Sequence, residues 1–243
     1  MNWNDIVTRV TPYIVGIDTP DGDGYGTGFL CFYNPTKTLV GIATAHHVIA
    51  HAEEWQHPIR LRHFPTKKSA FLKEGDRVIF SDEKTDSAVI LMTVEHLDLP
   101  ETPIPLLPIS IPLNVGTEVG WLGYPSVAVS TLCFFSGIVS AWQDWRHSYL
   151  LDGEAISGVS GGPVLYLHTV DGPQIVGTVS AYISNKTTPG LAMAHDMTHF
   201  HAIINHVKDL HEPRARKRAQ EEEQARKQPA QPEQETEPTP GPQ

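Results

Sequence analysis

From about Ile6 to Asp196 the chain is a succession of short apolar runs separated by Gly, Pro, Asn and Asp. The runs at Tyr13–Ile17, Gly28–Tyr33, Leu39–Ala45, Ile59–Phe64, Arg77–Phe80, Ser87–Val94, Glu118–Gly123, Thr131–Ala141, Val164–His168 and Gln174–Ile183 carry the length and β-branched content of strands. Helical periodicity is almost missing from this region, so the pattern predicts an all-β barrel or sandwich. Between Leu99 and Pro112 stand Pro100, Pro103, Pro105, Pro108 and Pro112. Proline cannot donate to a ladder, so this stretch is predicted as an extended connector dividing the strands into two comparable halves.

One helix is predicted. Phe200, Ile203, Ile204, Val207 and Leu210 recur three and four residues apart and make a single apolar stripe, expected to pack against the second half. Past Leu210 the pattern ends, because residues 212–243 hold no Val, Ile, Leu or aromatic residue but six prolines. Such a segment buries too little apolar surface to offset its ordering entropy, and is expected to be a disordered tail that the fold does not need. Its basic cluster Arg214–Arg218 runs into Glu221–Glu223 and reads as a solvated helical extension rather than a nucleic-acid patch.

Composition narrows the classes. The 243 residues are 40% hydrophobic, enough for a sizeable core, and 18 basic against 28 acidic residues give a formal charge of −10. That balance argues against nucleic acid or an anionic membrane surface as partner. No run approaches the ~18 apolar residues of a bilayer span. Two cysteines, Cys31 and Cys133, do not make a disulfide framework, and both lie in apolar runs where buried free thiols are expected. With no export signal visible after Met1, a cytoplasmic protein is the expectation.

Candidate chemistry lies at the ends of β runs. Ser157-Gly158-Val159-Ser160-Gly161-Gly162-Pro163 places glycines on both sides of a serine, which lets the backbone turn sharply and aim N–H groups near the hydroxyl. A serine nucleophile needs a base and an orienting carboxylate. Thr44-Ala45-His46-His47-Val48 supplies two histidines at the end of one run, and Thr85-Asp86-Ser87-Ala88-Val89 an acid at the mouth of another. Taken singly, each has a plainer reading as a glycine-rich turn, a strand-capping histidine and a turn aspartate. Together they give the chain order His, Asp, Ser with separations of 39 and 74 residues.

With Gly26-Thr27-Gly28-Phe29, Gly123-Tyr124-Pro125 and Ser136-Gly137-Ile138-Val139-Ser140 in the same order, these motifs resemble the trypsin-like serine peptidases, and among them the bacterial HtrA/Deg branch, without a PDZ domain. The resemblance covers about residues 6–210. It implies two six-stranded antiparallel β-barrels: residues 1–108 carrying His47 and Asp86, and 109–211 carrying Ser160 and the C-terminal helix, before the 212–243 tail. It further implies a catalytic triad of His47, Asp86 and Ser160, acting on a protein or peptide substrate without a metal or cofactor. The N–H groups of Gly158 and Ser160 would form the oxyanion hole. Ser180, Tyr182 and Ala155 would line the substrate site, Ser180 also touching Asp86 and Tyr182 narrowing the primary pocket in favour of small aliphatic residues. Glu154, near the pocket wall, would instead favour a basic residue. Val159 stands where zymogen-type enzymes keep the aspartate that pairs with a freed α-amino group, so activation by N-terminal cleavage is not expected.

Other readings compete. Gly158-Val159-Ser160-Gly161-Gly162 also fits the nucleophile elbow of α/β-hydrolase esterases, but Pro163 and a β run follow where that fold needs a helix. A protease-like barrel turned peptide-binding module would explain the fold without turnover. His195, His199 and His201 raise the idea of a metal site, although Asp196-Met197 reads as the end of a strand before the helix. Surface or helix-cap histidines are expected there, and Glu53 and Glu54 are expected to be solvated residues of a short helix.

Overall fold

In the computed structural model, which describes residues 2–20, 24–109, 112–168, 172–185 and 188–210, the apolar runs become two antiparallel sheets. The first is built from β1 (Ile14–Asp18), β2 (Tyr25–Tyr33), β3 (Leu39–Ala45), β4 (Ile59–His63), β5 (Lys68–Leu72), β6 (Val78–Asp82) and β7 (Ser87–Thr93). They hydrogen-bond in the order β5-β4-β1-β2-β3-β7-β6. The second sheet, from β8 (Glu118–Gly123), β9 (Cys133–Gln143), β10 (Ser148–Asp152), β11 (Pro163–His168), β12 (Gly172–Asn185) and β13 (Thr188–His195), closes into a six-stranded barrel.

The all-β expectation and the six-stranded second barrel hold. The first unit differs in detail, with seven strands in an open hydrogen-bonded order that ends on β5 and β6. The extra strand, β5, hides in a lysine-rich stretch because only Ala70 and Leu72 face inward, while Phe71 is exposed. Two further strands escape the pattern. β10 follows a left-handed turn at His147 (φ 49°). β13 carries Pro189 and Gly190 and fills the barrel with the small Ala192 and Ala194.

Among the described residues, three apolar clusters hold the fold. Val15, Ile17, Leu30, Ile42, Ala88 and Ile90 fill the first sheet, and Val119, Trp121, Val139, Val164 and Val179 fill the barrel. The third joins the halves: Phe29, Val89 and Leu91 from the first meet Leu122, Leu165 and Ile175 from the second. β2, β7, β8 and β11 therefore bury both faces, which is why their sequences read as continuous apolar runs rather than alternating ones. Each fully buried side chain of this size contributes about 1.5–3 kcal/mol.

Two helices complete the shared cluster. The periodicity of Trp3–Val10 escaped notice, yet it forms α1, closed by a capping box between Asn2 and Asp5 and burying Ile6 and Val10. It packs on the second barrel, where the Trp3 ring lies 5.2 Å from that of Phe134 and its Nε1–H donates to Glu118. α2 is His46–Glu54. The last helix, α3, occupies 198–210. It was expected on the second half, but Phe200 lies against Phe29, His206 against Phe80, and His201 meets the carbonyl of Leu107 in the connector. α1 and α3 thus each reach across to the opposite half. The tail expectation for 212–243 lies outside the described residues. Cys31 and Cys133 are free thiols, Cys31 buried and its thiol pushed up by that burial.

Candidate active site

The pairing of β3 with β7 brings the first two candidate residues together. Ala45 lies opposite Ser87, so the residues just beyond each, His46–His47 and Asp86, emerge side by side. The Asp86 carbonyl accepts from the His46 N–H at 3.0 Å. Its Oδ1 accepts from the His47 N–H at 2.9 Å, and its Oδ2 lies 2.8 Å from His47 Nδ1. Asp86 holds a left-handed backbone (φ 45°), uncommon for a residue with a Cβ and costly unless the surroundings demand it.

A third donor comes from the barrel. β12 slips register against β13 between Val179 and Ala181, a bulge that sets Ser180 apart from the regular alternation, and its hydroxyl donates to Asp86 Oδ2. Burial alone would push the Asp86 carboxyl up, but the His47 hydrogen bonds and charge, with the Ser180 hydroxyl, hold it below the usual carboxylate range. An ionised carboxylate only accepts, so His47 Nδ1 carries the proton. The neutral imidazole then offers a bare Nε2 as acceptor.

Ser160 stands in the turn before β11, fixed from three sides. Its carbonyl accepts from the Thr27 N–H at 2.8 Å, the next N–H, of Gly161, donates to Val179 at 2.7 Å, and its hydroxyl donates to the Ser180 carbonyl at 3.4 Å. Two glycines make the turn possible. Gly161 has φ +84° and a Cβ there would lie 2.1 Å from the Thr27 carbonyl; Gly158 has φ +94° and a Cβ would lie 2.6 Å from that of Tyr124. The structure thus gathers Asp86, His47, Ser180 and Ser160 into one hydrogen-bonded run across the two halves.

The model of the trypsin-like peptidase domain family matches residues 26–169, more than half of the chain. The chain belongs to this family. No curated protein matches. Among solved structures, a serine endoprotease from Yersinia pestis superposes with a TM-score of 0.62 at 22% identity, covering 86% of this chain and 67% of that one. An inactive form of the Rv3671c protease superposes with a TM-score of 0.58 at 18% identity over 84% of this chain and 93% of that one. A mutant of Rv3671c from M. tuberculosis H37Rv, also inactive, gives 0.59 at 17% identity over 84% and 91%. These likenesses show that the fold is that of the trypsin-like peptidases.

The other candidate residues divide. Tyr182 is on β12, 38% exposed, and its hydroxyl accepts from the Gly190 N–H at 2.8 Å across the pair with β13. Ala155 packs, half-buried, on the barrel core. Glu154 is exposed, its backbone carbonyl taking the Trp121 indole N–H at 3.2 Å. Beside Asp86 and Ser180 opens a cleft of about 610 Å³, lined also by Thr85, Trp145, His147 and Met193.

The histidines singled out for a metal have separate partners. His195 is 4% exposed with its Nδ1 3.2 Å from the Arg146 carbonyl, His199 lies 3.8 Å from Asp82, and His201 meets Leu107. His195 is therefore a core residue, not the surface or capping histidine expected. Glu53 is more than a solvated side chain, since Oε1 accepts from the Ser81 hydroxyl and Oε2 lies 3.5 Å from His46 Nε2. That contact turns His46 along its own helix, leaving His47 as the histidine on Asp86. Sequence reasoning missed Thr27, whose buried hydroxyl donates to the Gly158 carbonyl at 2.8 Å and accepts from the Tyr124 N–H at 2.9 Å. Only its place in the Gly-Thr-Gly motif signalled it.

Proposed function

We propose that the protein is a serine endopeptidase that hydrolyses peptide bonds through an acyl-enzyme on Ser160. The observation that carries this reading is the His47 Nδ1–Asp86 Oδ2 contact at 2.8 Å, which leaves Nε2 free to act as base. In the first step Nε2 takes the Ser160 proton as Oγ bonds to the substrate carbonyl carbon. The negative charge on the carbonyl oxygen is met by the N–H groups of Gly158 and Ser160. The C–N bond then breaks, and the leaving amine takes the proton from Nε2. Water repeats the sequence, its proton going to His47 and its oxygen to the acyl carbon, and Ser160 is regenerated.

The substrate class is a protein or peptide. Its residues before the scissile bond lie over β12, where Ser180 and Tyr182 stand, and Ala155 forms part of the primary pocket wall. Labelling with a fluorophosphonate and hydrolysis of a peptide library test the reading. Ser160 takes the label in the wild type, while Ser160→Ala or His47→Ala lowers hydrolysis by several orders of magnitude because these groups act as a unit. His46→Ala has a far smaller effect. A folded wild-type protein that neither labels nor cleaves is a peptide-binding module instead.

A further inference from the structure

The turn between β9 and β10 separates two cavities. On one side Trp145, Arg146 and His147 line the cleft beside Asp86 and Ser180. On the other, Asp144 and His147 border a second cavity of about 200 Å³, which shares none of the reacting groups. His147 reaches both because it follows a 3-10 turn, Asp144–Arg146, in a left-handed backbone (φ 49°). The second cavity also takes in Asp196 and Met197, which link β13 to α3.

Aromatic rings and carboxylates share its lining. Trp142 is half-buried, and the buried Tyr149 ring packs 4.8 Å from it, with the Tyr149 hydroxyl fixed by accepting from the Leu113 N–H at 3.2 Å. The His147 ring stands 6.2 Å from that of Trp142 at 71°. Val176 and Met197 add apolar surface. Asp196 accepts from the Thr198 N–H at 3.0 Å and the Thr198 hydroxyl at 2.9 Å, and its Oδ2 lies 3.8 Å from His147 Nδ1. Asp144 is exposed, and no described lysine or arginine pairs with either acid. Arg146, the neighbouring cation, lies over the Trp145 ring at 4.3 Å and lines the other cleft.

Ring faces carry partial negative charge and carboxylates a full one, so the cavity is complementary to a cation that also offers apolar surface. Among the described residues no three side chains gather as a metal set, so a bare ion is the poorer match. A guanidinium is the better one, because it is flat, weakly hydrated, stacks on aromatic rings and aims several N–H groups at carboxylates. We propose that this cavity is an exosite for an arginine side chain of a protein partner. Its apolar surface takes the methylene stem and the Trp142 ring the guanidinium, while Asp144 and the remaining lone pairs of Asp196 accept its N–H groups. The formal charge of −10 favours approach of a basic partner. A partner seated there lies against the turn whose far side borders the cleft of Asp86 and Ser180.

The test uses Nα-acetyl-arginine methylamide as probe, titrated into the isotope-labelled full chain and followed by the indole N–H signal of Trp142, assigned by triple-resonance spectra. A saturable shift at millimolar probe is expected. The citrulline derivative has nearly the same shape without the charge, and should bind at least about tenfold more weakly. Asp144→Asn, at an exposed position, should weaken the arginine derivative about threefold to tenfold while leaving the rest of the spectrum in place. No saturable shift, equal binding of the citrulline derivative, or unchanged affinity in Asp144→Asn overturns the proposal. The citrulline comparison is made on the wild type, so it decides the matter should Asp144→Asn not fold. Binding is read without turnover, so failure of the peptidase reading and failure of this one are separate results.

Discussion

Asp86 shows how far single residues can be read from sequence. Its acid at the mouth of an apolar run, with His47 and Ser160 in order, was enough to name three residues that the fold links through hydrogen bonds by way of Ser180. What it could not show was the left-handed backbone or the bulge that brings Ser180 onto the carboxylate, because both depend on strands paired across the chain. Thr27 was illegible for the same reason: its hydroxyl meets the Gly158 carbonyl, 131 residues along the chain. Tyr182 is proposed as a pocket residue, and its hydroxyl bond to the Gly190 N–H ties it across the pair of β12 with β13. Tyr182→Gly should therefore widen the primary pocket and raise kcat/KM for an aromatic residue before the scissile bond, relative to valine, by about tenfold. A preference for Arg or Lys in the wild-type enzyme would show instead that Glu154 sets specificity.

At the scale of elements, the runs rich in β-branched and aromatic residues became strands, because burial on two faces leaves little room for polar residues. β5 and β13 are partly exposed or rich in small residues, so their inward faces carry few large side chains, whereas β10 buries Tyr149 and Leu151 but is only five residues long. α1 is only eight residues long, and its apolar positions Ile6 and Val10 make a single turn's repeat. Its stability comes from the tertiary contacts it makes. Both Ile6 and Val10 are fully buried in the cluster that joins the halves, so Ile6→Ala should destabilise the protein by about 2–5 kcal/mol in urea unfolding. A loss below 0.5 kcal/mol would mean that α1 does not dock in solution.

The whole molecule carries a pH dependence set by histidines that folding keeps neutral. Burial lowers the pKa of His63, His195 and His199 below the ordinary value near 6.5, against smaller raising effects from Pro12 and Asp98, Arg146 and Asp86, and Asp82 respectively. His63 shows the structural reason: its Nε2 lies 2.9 Å from the Pro12 carbonyl, which needs the proton there, and its Nδ1 lies 2.8 Å from the Thr66 hydroxyl, which can donate only to a bare nitrogen. As the pH falls through about 6.5 the unfolded chain binds these protons first, so stability is full above that value and declines toward the lower folded pKa values. Each histidine can contribute up to about 1.4 kcal/mol per pH unit within that window. Asp86 does not oppose the trend there, because its depressed pKa stabilises the fold at every pH above the ordinary carboxylate range and is lost only below it. Urea unfolding should thus give a lower free energy at pH 5.5 than at pH 7.5. His63→Gln and His195→Gln should each flatten the slope. An unfolding free energy that stays constant from pH 7.5 to 5.5 would show that the three histidines reach their protons in the folded state, through openings of the core that its close packing in the structure does not provide.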